Sequence, residues 1–309
     1  MRAAFIKSLI EMAREDESIF LLVGDVGYRL VEPFAREFPE RFVNIGIAEQ
    51  NMVGIAAGLA LSGKTVFLYS IANFPTVRCV EQIRNDVCYH KANVKIVTAG
   101  GGLIYGALGP THHLTEDVAL MRALPNMTVI APGDPLEAGL VTQAAALLSG
   151  PCYLRLGRTG DPQVHHVTPD FQIGRAIKLR DGRDITLIAS GGILPNVCRA
   201  AENLAGQHIE ALVLSMHTVK PVDKEAVLDA ARDTGAIVTI EEHSVLGGLG
   251  SAVAEVIAES GLGVPFLRMG LPDEFISQVG SRDYLRNIYS LSTDGIVSSV
   301  KKFLKQKKR

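Results

Sequence analysis

Glu49 is the only charged residue between Val43 and Gly63, in a segment of otherwise apolar, small or amide side chains. A helix with this pattern is apolar nearly all round and is predicted to lie in a core. An unpaired carboxylate in such surroundings costs several kcal/mol, so we expect this acid to keep its proton, to find a partner, or both. The alternative is a glutamate that merely interacts with the dipole at the N-terminus of its own helix. The residues alone leave both interpretations open.

Around Glu49 the sequence resembles a known family. Segment 41–51 resembles the start of the pyrimidine-binding domain helix in the transketolase family, which includes deoxyxylulose-phosphate synthase and, more distantly, the beta subunits of 2-oxo acid dehydrogenases. The resemblance continues in order along the chain through Phe74 and the segments 78–85, 109–112, 124–127, 150–158 and 241–252. It implies an α/β protein with two three-layer α/β/α domains. These are a pyrimidine-binding domain at 1–165, with a mainly parallel sheet, and a transketolase C-terminal-type domain at 175–309.

For Glu49, the resemblance implies a hydrogen bond to the ring nitrogen of the aminopyrimidine of thiamine diphosphate. A carboxyl group in apolar surroundings keeps its proton near neutral pH and can donate it to the ring. This favours the imino tautomer, whose nitrogen removes the proton from the thiazolium carbon, and the cofactor then serves as an electron sink. Glu49 is therefore predicted to be both catalytic and cofactor-binding.

Three further residues receive a role near the pyrimidine from the same resemblance. Phe74 is expected to stack on the ring; without the resemblance it reads as one more core aromatic. Arg78 matches a position that contacts the pyrimidine edge in some relatives. His112, in the Gly-Pro-Thr-His segment 109–112, matches a histidine that faces the reacting carbonyl and can assist proton transfer. The turn residues beside His112 favour a fixed loop that lines a site.

Two arginines are candidates for the substrate's anionic end. Arg158 matches a residue that binds the substrate phosphate in transketolases, and Arg2 matches a second one near the start of the domain. A guanidinium fork suits a phosphate. The alternative for either residue, and above all for Arg2, is an ordinary surface arginine.

Two departures from the family pattern concern the substrate. Leu108 stands where the ketose-transferring relatives carry an aspartate that contacts a substrate hydroxyl. A phosphate-contacting histidine is replaced within Gly100, Gly101 and Gly102. We interpret the three glycines as a flexible turn, the alternative being a close approach of the backbone to a ligand. Both changes predict a donor or acceptor different from that of housekeeping transketolase.

The family's other half is missing from this chain. We find no Gly-Asp-Gly segment followed by Asn, the element with which relatives hold Mg²⁺ and the cofactor diphosphate; 24–27 is a poor match. Mg²⁺ requires oxygen ligands, and no dedicated set is present, so no metal ligand is assigned to this chain. A separate alpha-type subunit is expected to supply these ligands, with two of each chain and a homodimeric contact between copies of this one. Gly54, Ala57 and Gly58 leave room for another backbone to approach the Glu49 helix.

The elements that must position these residues follow a strand-then-helix order. Five apolar runs predict strands in the first half, at 19–23, 41–45, 65–69, 94–98 and 127–131, with helical patterns at 47–62, 76–90, 115–124 and 134–148. Such alternation implies a mainly parallel sheet covered on both faces. The turn-rich stretch near 160–182 is predicted as a linker. Alternation then resumes, with strands at 185–189, 209–214 and 236–240 and helices at 195–205 and 223–233.

Composition excludes several classes of protein. The 309 residues are 47% hydrophobic with a net charge of -2, which gives no long-range attraction to nucleic acid. The basic end at 301–309 is interpreted as a solvated last helical turn rather than a nucleic-acid or membrane patch. Apolar stretches fall short of the roughly 18 consecutive residues that a membrane span needs. Four widely spaced cysteines give neither a zinc site nor a disulfide framework. A cytoplasmic protein is expected.

The leading hypothesis is the C-terminal subunit of a split transketolase, which moves a two-carbon ketol unit between sugars or sugar phosphates. An alternative enzyme is the beta subunit of a 2-oxo acid decarboxylating synthase or dehydrogenase, against which segment 153–158 favours the transketolase side. A different class is a non-catalytic partner that only stabilises an alpha subunit. Glu49, Phe74 and His112 argue against it, because a structural role does not need a lone buried acid.

Overall fold

The first half of the chain forms a mostly parallel sheet. A computed structural model describes residues 1–71, 73–158 and 160–307, without the side chain of the last. The strands of this half are β1 Ile19–Val23, β2 Phe42–Asn44, β3 Thr65–Ile71, β4 Val94–Ala99, β5 Thr128–Ile130 and β6 Cys152–Leu156. Every pair among them is parallel. All six residues of β4 are buried, as expected of a strand covered by helices on both faces.

The helices of this half include three of the four predicted ones and two that lie outside the predicted ranges, at 2–15 and 32–37. They are α1 Arg2–Glu15, α2 Glu32–Glu37, α3 Glu49–Leu61, α4 Val80–Gln82, α5 Asp117–Ala123 and α6 Pro135–Leu147. The exception is the single helix predicted at 76–90. There the chain makes a 3₁₀ turn at Val77–Cys79, the short α4, and a π-helical stretch at Ile83–Tyr89. The apolar periodicity predicted the helical path but not its changes of pitch.

The second half forms a five-stranded sheet. Its strands and helices are β7 Ile177–Arg180, β8 Ile185–Ser190, α7 Leu194–Ala205, β9 Ala211–Ser215, β10 Thr218–Lys220, α8 Lys224–Asp233, β11 Ile237–Ser244, α9 Leu249–Ser260, β12 Phe266–Leu271, α10 Arg282–Ile288 and α11 Thr293–Lys307. The sheet order is β12-β11-β8-β9-β7, with only β7 antiparallel to its neighbour. The linker predicted at 160–182 is therefore wrong at its end, where β7 lies.

One strand crosses between the two halves. β10 does not join its own sheet but extends the first, giving the order β10-β5-β6-β4-β3-β1-β2. It pairs antiparallel with β5, Thr218 opposite Ile130. The sequence predicts two consecutive α/β units but not the pairing of a strand of the second with the first. Local sequence patterns carry no information about which sheet a strand will join.

The α3 helix is buried on only one of its faces. Met52, Val53, Ala56 and Ala57 are buried, but the opposite face is exposed over much of its length. Side chains added at Gly54 or Gly58 would meet nothing within 4 Å. The prediction of a core helix therefore holds for one face of α3 only, while the open space at Gly54 and Gly58 agrees with the room expected there for another backbone. None of the helices within the described residues is long and apolar enough to cross a membrane.

Candidate active site

The candidate residues collect at one edge of the first sheet. Strands β1, β3, β4 and β6 are parallel, so their carboxyl ends lie on the same side. Glu49 opens α3 after β2, and Arg158 follows β6. In open α/β sheets the crevice outside the carboxyl ends of the strands is the usual ligand site.

Glu49 is buried and has a partner from its own chain. Its side chain is 2% exposed, and its Oε2 accepts a hydrogen bond from Nη1 of Arg78 at 2.6 Å. The Arg78 side chain is 45% exposed. A buried acid was expected to keep its proton, to find a partner, or both, and the structure shows the partner.

Aromatic contacts join Arg78 to the other predicted residues. The Arg78 guanidinium carbon lies 4.7 Å from the centroid of the Phe74 ring, a cation–π contact. The Phe74 and His112 rings meet edge to face, with centroids 5.6 Å apart at 69°. Glu49, Arg78, Phe74 and His112 thus form one unbroken series of contacts, although 63 positions separate the first residue from the last.

The loop that carries His112 is tied down at several points. The backbone N–H of His112 donates to the Gly109 carbonyl at 2.9 Å, and Thr111 Oγ1 lies 3.0 Å from His112 Nδ1. The side-chain amide of Asn73 donates to the Thr111 carbonyl. A cleft of about 640 Å³ runs between this loop and Phe74, and Phe275 from the second half stands at its side. The expectation of a fixed loop agrees with these contacts.

Arg2 and Arg158 are brought to the same place by the start of α1. The Met1 amino group donates to the Arg158 carbonyl at 3.0 Å. The Arg2 side chain hydrogen-bonds Tyr69, whose pKa burial raises to about 12. The buried Nε of Arg2 has no hydrogen-bond partner among the described residues. Arg158 is half exposed, with its Nε 4.0 Å from Asp161 Oδ1. The contact between Met1 and the Arg158 carbonyl therefore brings the backbone at Arg2 close to the backbone at Arg158.

The three glycines at 100–102 are not a flexible turn. All three are buried. A Cβ at Gly101 would lie 2.6 Å from Nε of Arg155, and one at Gly102 would lie 2.7 Å from the Glu242 carbonyl oxygen. Glycine is required because the chain's own groups approach the backbone this closely. The prediction of flexibility is wrong, since sequence cannot show what packs against a glycine.

The Tyr105 ring fills the space above Gly100. Tyr105 was not among the site residues predicted from the sequence. Gly100 has a φ of +94°, and a Cβ there would overlap the Tyr105 ring. That ring stands 6.3 Å from the His112 ring, centroid to centroid. Leu108 follows in the short turn Gly106–Leu108, with its N–H donating to the Tyr105 carbonyl at 2.8 Å and its side chain 55% exposed. The two positions that depart from the family pattern thus lie on one loop beside His112.

A buried cluster of charged residues holds the loop that carries Tyr105, Leu108 and His112 in position. Arg155 donates to Asp117 at 2.7 Å and to the Leu114 carbonyl at 2.8 Å. Glu242 accepts from the Leu103 N–H at 2.8 Å. No structural role was predicted for Arg155, Asp117 or Glu242, because their partners lie 38 or more positions away in the chain. The one available signal was the charge itself, at Arg155 within the buried strand β6.

Two further arginines hold Glu242 ionised. Arg282 and Arg286 place nitrogen atoms 2.9 and 2.6 Å from its Oε2. Burial by itself would raise the pKa of Glu242, but the two guanidinium groups outweigh burial and bring the pKa to about 2. Glu242 and Asp117 therefore anchor the His112 loop to both halves of the molecule.

The residues present fit one end of thiamine diphosphate better than the other. A buried acid, an aromatic ring and a histidine lie together, which suits a planar aminopyrimidine. Within the described residues, no group of three or more His, Cys, Asp or Glu side chains is arranged to hold a metal ion. Glu241, in the segment 241–243, instead accepts hydrogen bonds from the N–H groups of Leu249 and Gly250, 2.7 Å each, where α9 begins.

Comparison with known proteins gives the same picture over the whole chain. Residues 1–160 match the family model of the transketolase pyrimidine-binding domain, and residues 174–296 match that of the transketolase C-terminal domain. The chain is 40% identical over 307 residues to an apulose-4-phosphate transketolase subunit of Phocaeicola vulgatus, covering 99% of this chain and 97% of the relative. It is 39% identical over 308 residues to a 6-deoxy-6-sulfo-D-fructose transketolase subunit of a Clostridium species, covering 99% and 95%.

A solved structure agrees with these relatives. It is described as a split gene transketolase, inactive beta4 tetramer, and it shares 41% sequence identity with a TM-score of 0.89, covering 98% of this chain and 97% of that one. Family models over both halves and relatives of the same length leave one assignment: the chain belongs to the transketolase family.

Proposed function

We propose that this chain is the C-terminal, beta-type subunit of a split transketolase, which transfers a two-carbon ketol unit between sugar substrates with thiamine diphosphate. The observation that carries the proposal is the buried carboxyl of Glu49 at the start of α3, in contact through Arg78 and Phe74 with His112. A chain that only stabilised a partner would have no need to keep an acid buried at a crevice.

Each residue has a distinct proposed role in this site. When bound, thiamine diphosphate supplies a nucleophilic thiazolium carbon and an electron sink. Glu49 hydrogen-bonds the pyrimidine ring nitrogen, Phe74 stacks on the ring, and Arg78 belongs to the same subsite. His112, half-buried on its fixed loop, faces the reacting carbonyl and moves a proton to or from its oxygen.

The substrate is proposed to carry an anionic group, which Arg2 and Arg158 bind at the end of the crevice. The two relatives named above act, by their names, on a sugar phosphate and on a sulfonated sugar. Both substrates carry an anion, which supports this role for the arginines. Leu108, and Tyr105 in the space above Gly100, give this end of the site a shape and polarity of its own.

A second subunit is proposed to complete the site. The described residues offer no metal-binding cluster, so the Mg²⁺ and diphosphate ligands are assigned to an alpha-type partner, in an assembly with two of each chain. The similar split transketolase whose beta4 tetramer is described as inactive supports this division of labour. The open face of α3 is available for contact with another chain.

Calorimetric titration tests the proposal directly. Thiamine diphosphate with Mg²⁺ is titrated into this chain alone and into the chain reconstituted with a co-encoded alpha partner. Binding only to the pair is expected; tight binding to the chain alone would refute the divided site. A donor screen with the pair, over phosphorylated ketoses, nucleotide-linked sugars and 2-oxo acids, then separates ketol transfer from 2-oxo acid decarboxylation.

A further inference from the structure

Arg78 already makes both contacts that the proposed pyrimidine subsite offers. Its Nη1 donates to Glu49 Oε2 at 2.6 Å, and its guanidinium carbon lies 4.7 Å from the centre of the Phe74 ring. One side chain therefore uses the acid and the aromatic face at the same time. An aminopyrimidine that hydrogen-bonded Glu49 and stacked on Phe74 would need the same two surfaces.

The chemistry of the two groups is alike. A guanidinium is a flat N–C–N unit that donates hydrogen bonds to a carboxylate in its plane and stacks on aromatic rings with its face. An aminopyrimidine protonated at the ring nitrogen that meets Glu49 is also flat, donates a hydrogen bond to a carboxylate in its plane and stacks on aromatic rings with its face. We infer that Arg78 is an internal place-holder for the cofactor's aminopyrimidine, which must displace the guanidinium from Glu49 and Phe74. This inference rests on the proposed function and assigns Arg78 its part in it.

Burial explains why a place-holder is useful. Glu49 is 2% exposed, and a buried carboxylate left without a partner is strongly unfavourable. Arg78 satisfies that carboxylate until a ring can do so. Arg78 thus pairs with Glu49 and stabilises the residues around the crevice when no cofactor is bound.

The geometry also lets Arg78 leave. Its side chain is 45% exposed, whereas the acid is enclosed. Its backbone is held separately, because Gln50 Nε2 donates to the Arg78 carbonyl at 3.2 Å. The guanidinium can therefore move into solvent while the turn Val77–Cys79 stays in position.

Removing the place-holder should strengthen cofactor binding. Arg78→Met keeps the length of the stem but neither the charge nor the hydrogen-bond donors. Arg84→Met is the matched control, because Arg84 is an exposed arginine of the neighbouring π-helix whose side chain pairs only locally, with Asn85. With both variants reconstituted with the alpha partner, calorimetry should show Arg78→Met binding thiamine diphosphate about two- to fivefold tighter, the scale of a partly exposed ion pair. Arg84→Met should match the wild type.

A weaker or unchanged affinity for Arg78→Met, while the wild-type pair binds the cofactor, would overturn this inference and leave the proposed function intact. Such a result would mean that Arg78 contacts the bound ring instead of giving way to it. Failure of the wild-type pair to bind the cofactor would overturn both.

Chemical rescue provides a second measurement that does not depend on activity. Arg78→Ala should lower the thermal stability of this chain, and guanidinium chloride at concentrations far below denaturing ones should restore it where sodium chloride does not. In the reconstituted pair carrying Arg78→Ala, guanidinium should compete with thiamine diphosphate. Rescue by both salts, or guanidinium binding without competition, would contradict a shared site.

Discussion

Two buried glutamates of this chain are paired with arginines, and the pairs differ in what surrounds them. Glu49 and Glu242 are each 2% exposed at the side chain. Glu49 meets one guanidinium, on a side chain that is nearly half exposed, at the crevice. Glu242 meets two, both buried, at the junction between the halves.

The difference separates an exchangeable pair from a permanent one. Arg282 and Arg286 are both buried, so water cannot replace Glu242 as their partner. Breaking that cluster therefore leaves unpaired charges in a region of low dielectric. Arg78 can return to solvent at little cost, which leaves its carboxylate open to a ligand. Both clusters join glutamate to arginine, and they differ in the number of arginines and in how deeply those arginines are buried.

Glu242→Gln is expected to give the largest loss of stability. It leaves two buried guanidinium groups without their carboxylate, at a cost of about 3–5 kcal/mol in the free energy of unfolding. Denaturant-induced unfolding measures this cost. Glu225→Gln is the control, because Glu225 forms an exposed pair with Arg175 and should change stability by less than about 1 kcal/mol. Equal effects for the two variants would remove the distinction between buried and exposed pairs.

Glu49→Gln is expected to affect the cofactor and leave the fold nearly unchanged. Exchange of the thiazolium proton in the reconstituted enzyme should slow about 10²- to 10⁴-fold, the usual contribution of a positioned acid or base. Stability should fall by about 1 kcal/mol or less, because the lost partner is partly solvated. The exposed Glu116, at the cleft, provides Glu116→Gln as the control. Normal proton exchange in Glu49→Gln would refute the role of this acid.

Acid should weaken the Glu242 cluster over a defined range. The folded-state pKa of Glu242 is about 2, below the 4.5 of an unperturbed glutamate. A depressed pKa contributes stability that is fully present above the unfolded value and is lost as pH falls through the folded value. The difference in unfolding free energy between wild type and Glu242→Gln should therefore be constant above about pH 5 and shrink toward pH 2. A difference that stays constant down to pH 2 would contradict the depressed pKa.

Gly102 and Gly24 test the space around Glu242 and Glu49, respectively, and their substitution is expected to have the smallest effects. Gly102→Ala should cost about 1–3 kcal/mol, because its Cβ would lie 2.9 Å from Glu242 Oε1 and its φ is +72°. Gly24→Ala should change stability by about 0.5 kcal/mol or less, since its Cβ would lie at an ordinary 3.6 Å from Glu49 Oε1. Gly63→Ala measures backbone strain alone, because its φ is +88° and nothing lies within 4 Å of a Cβ. If Gly102→Ala costs no more than Gly63→Ala, the crowding beside Glu242 is absent.

Local patterns were sufficient for the alternation of strands and helices, although β6, β12 and the helices α9 to α11 lie outside the predicted ranges. Strands and helices alternate along the chain because apolar runs and helical periodicity are properties of neighbouring residues, and both can be read without the third dimension. The resemblance carried by segment 41–51 was enough to predict the family. Glu49 could be singled out because one acid in twenty apolar or neutral positions is visible in any sequence.

Contacts between distant residues could not be predicted in this way. The exposed face of α3, the strand β10 in the first sheet and the tight packing of Gly100 to Gly102 all depend on what lies beside a residue rather than before or after it. Tyr105 was missed for the same reason, since only the folded loop places its ring over Gly100.

The sequence by itself determined that a lone acid lies at the start of an apolar helix, in a chain of the transketolase type. Only the tertiary structure decided that the acid's partner is Arg78, because the two residues are 29 positions apart and meet through the turn that follows β3. The strength of that pair depends on solvent exposure, which the sequence does not contain. An acid that looked unpaired is therefore paired, and the exposure of its partner leaves it able to bind a ligand.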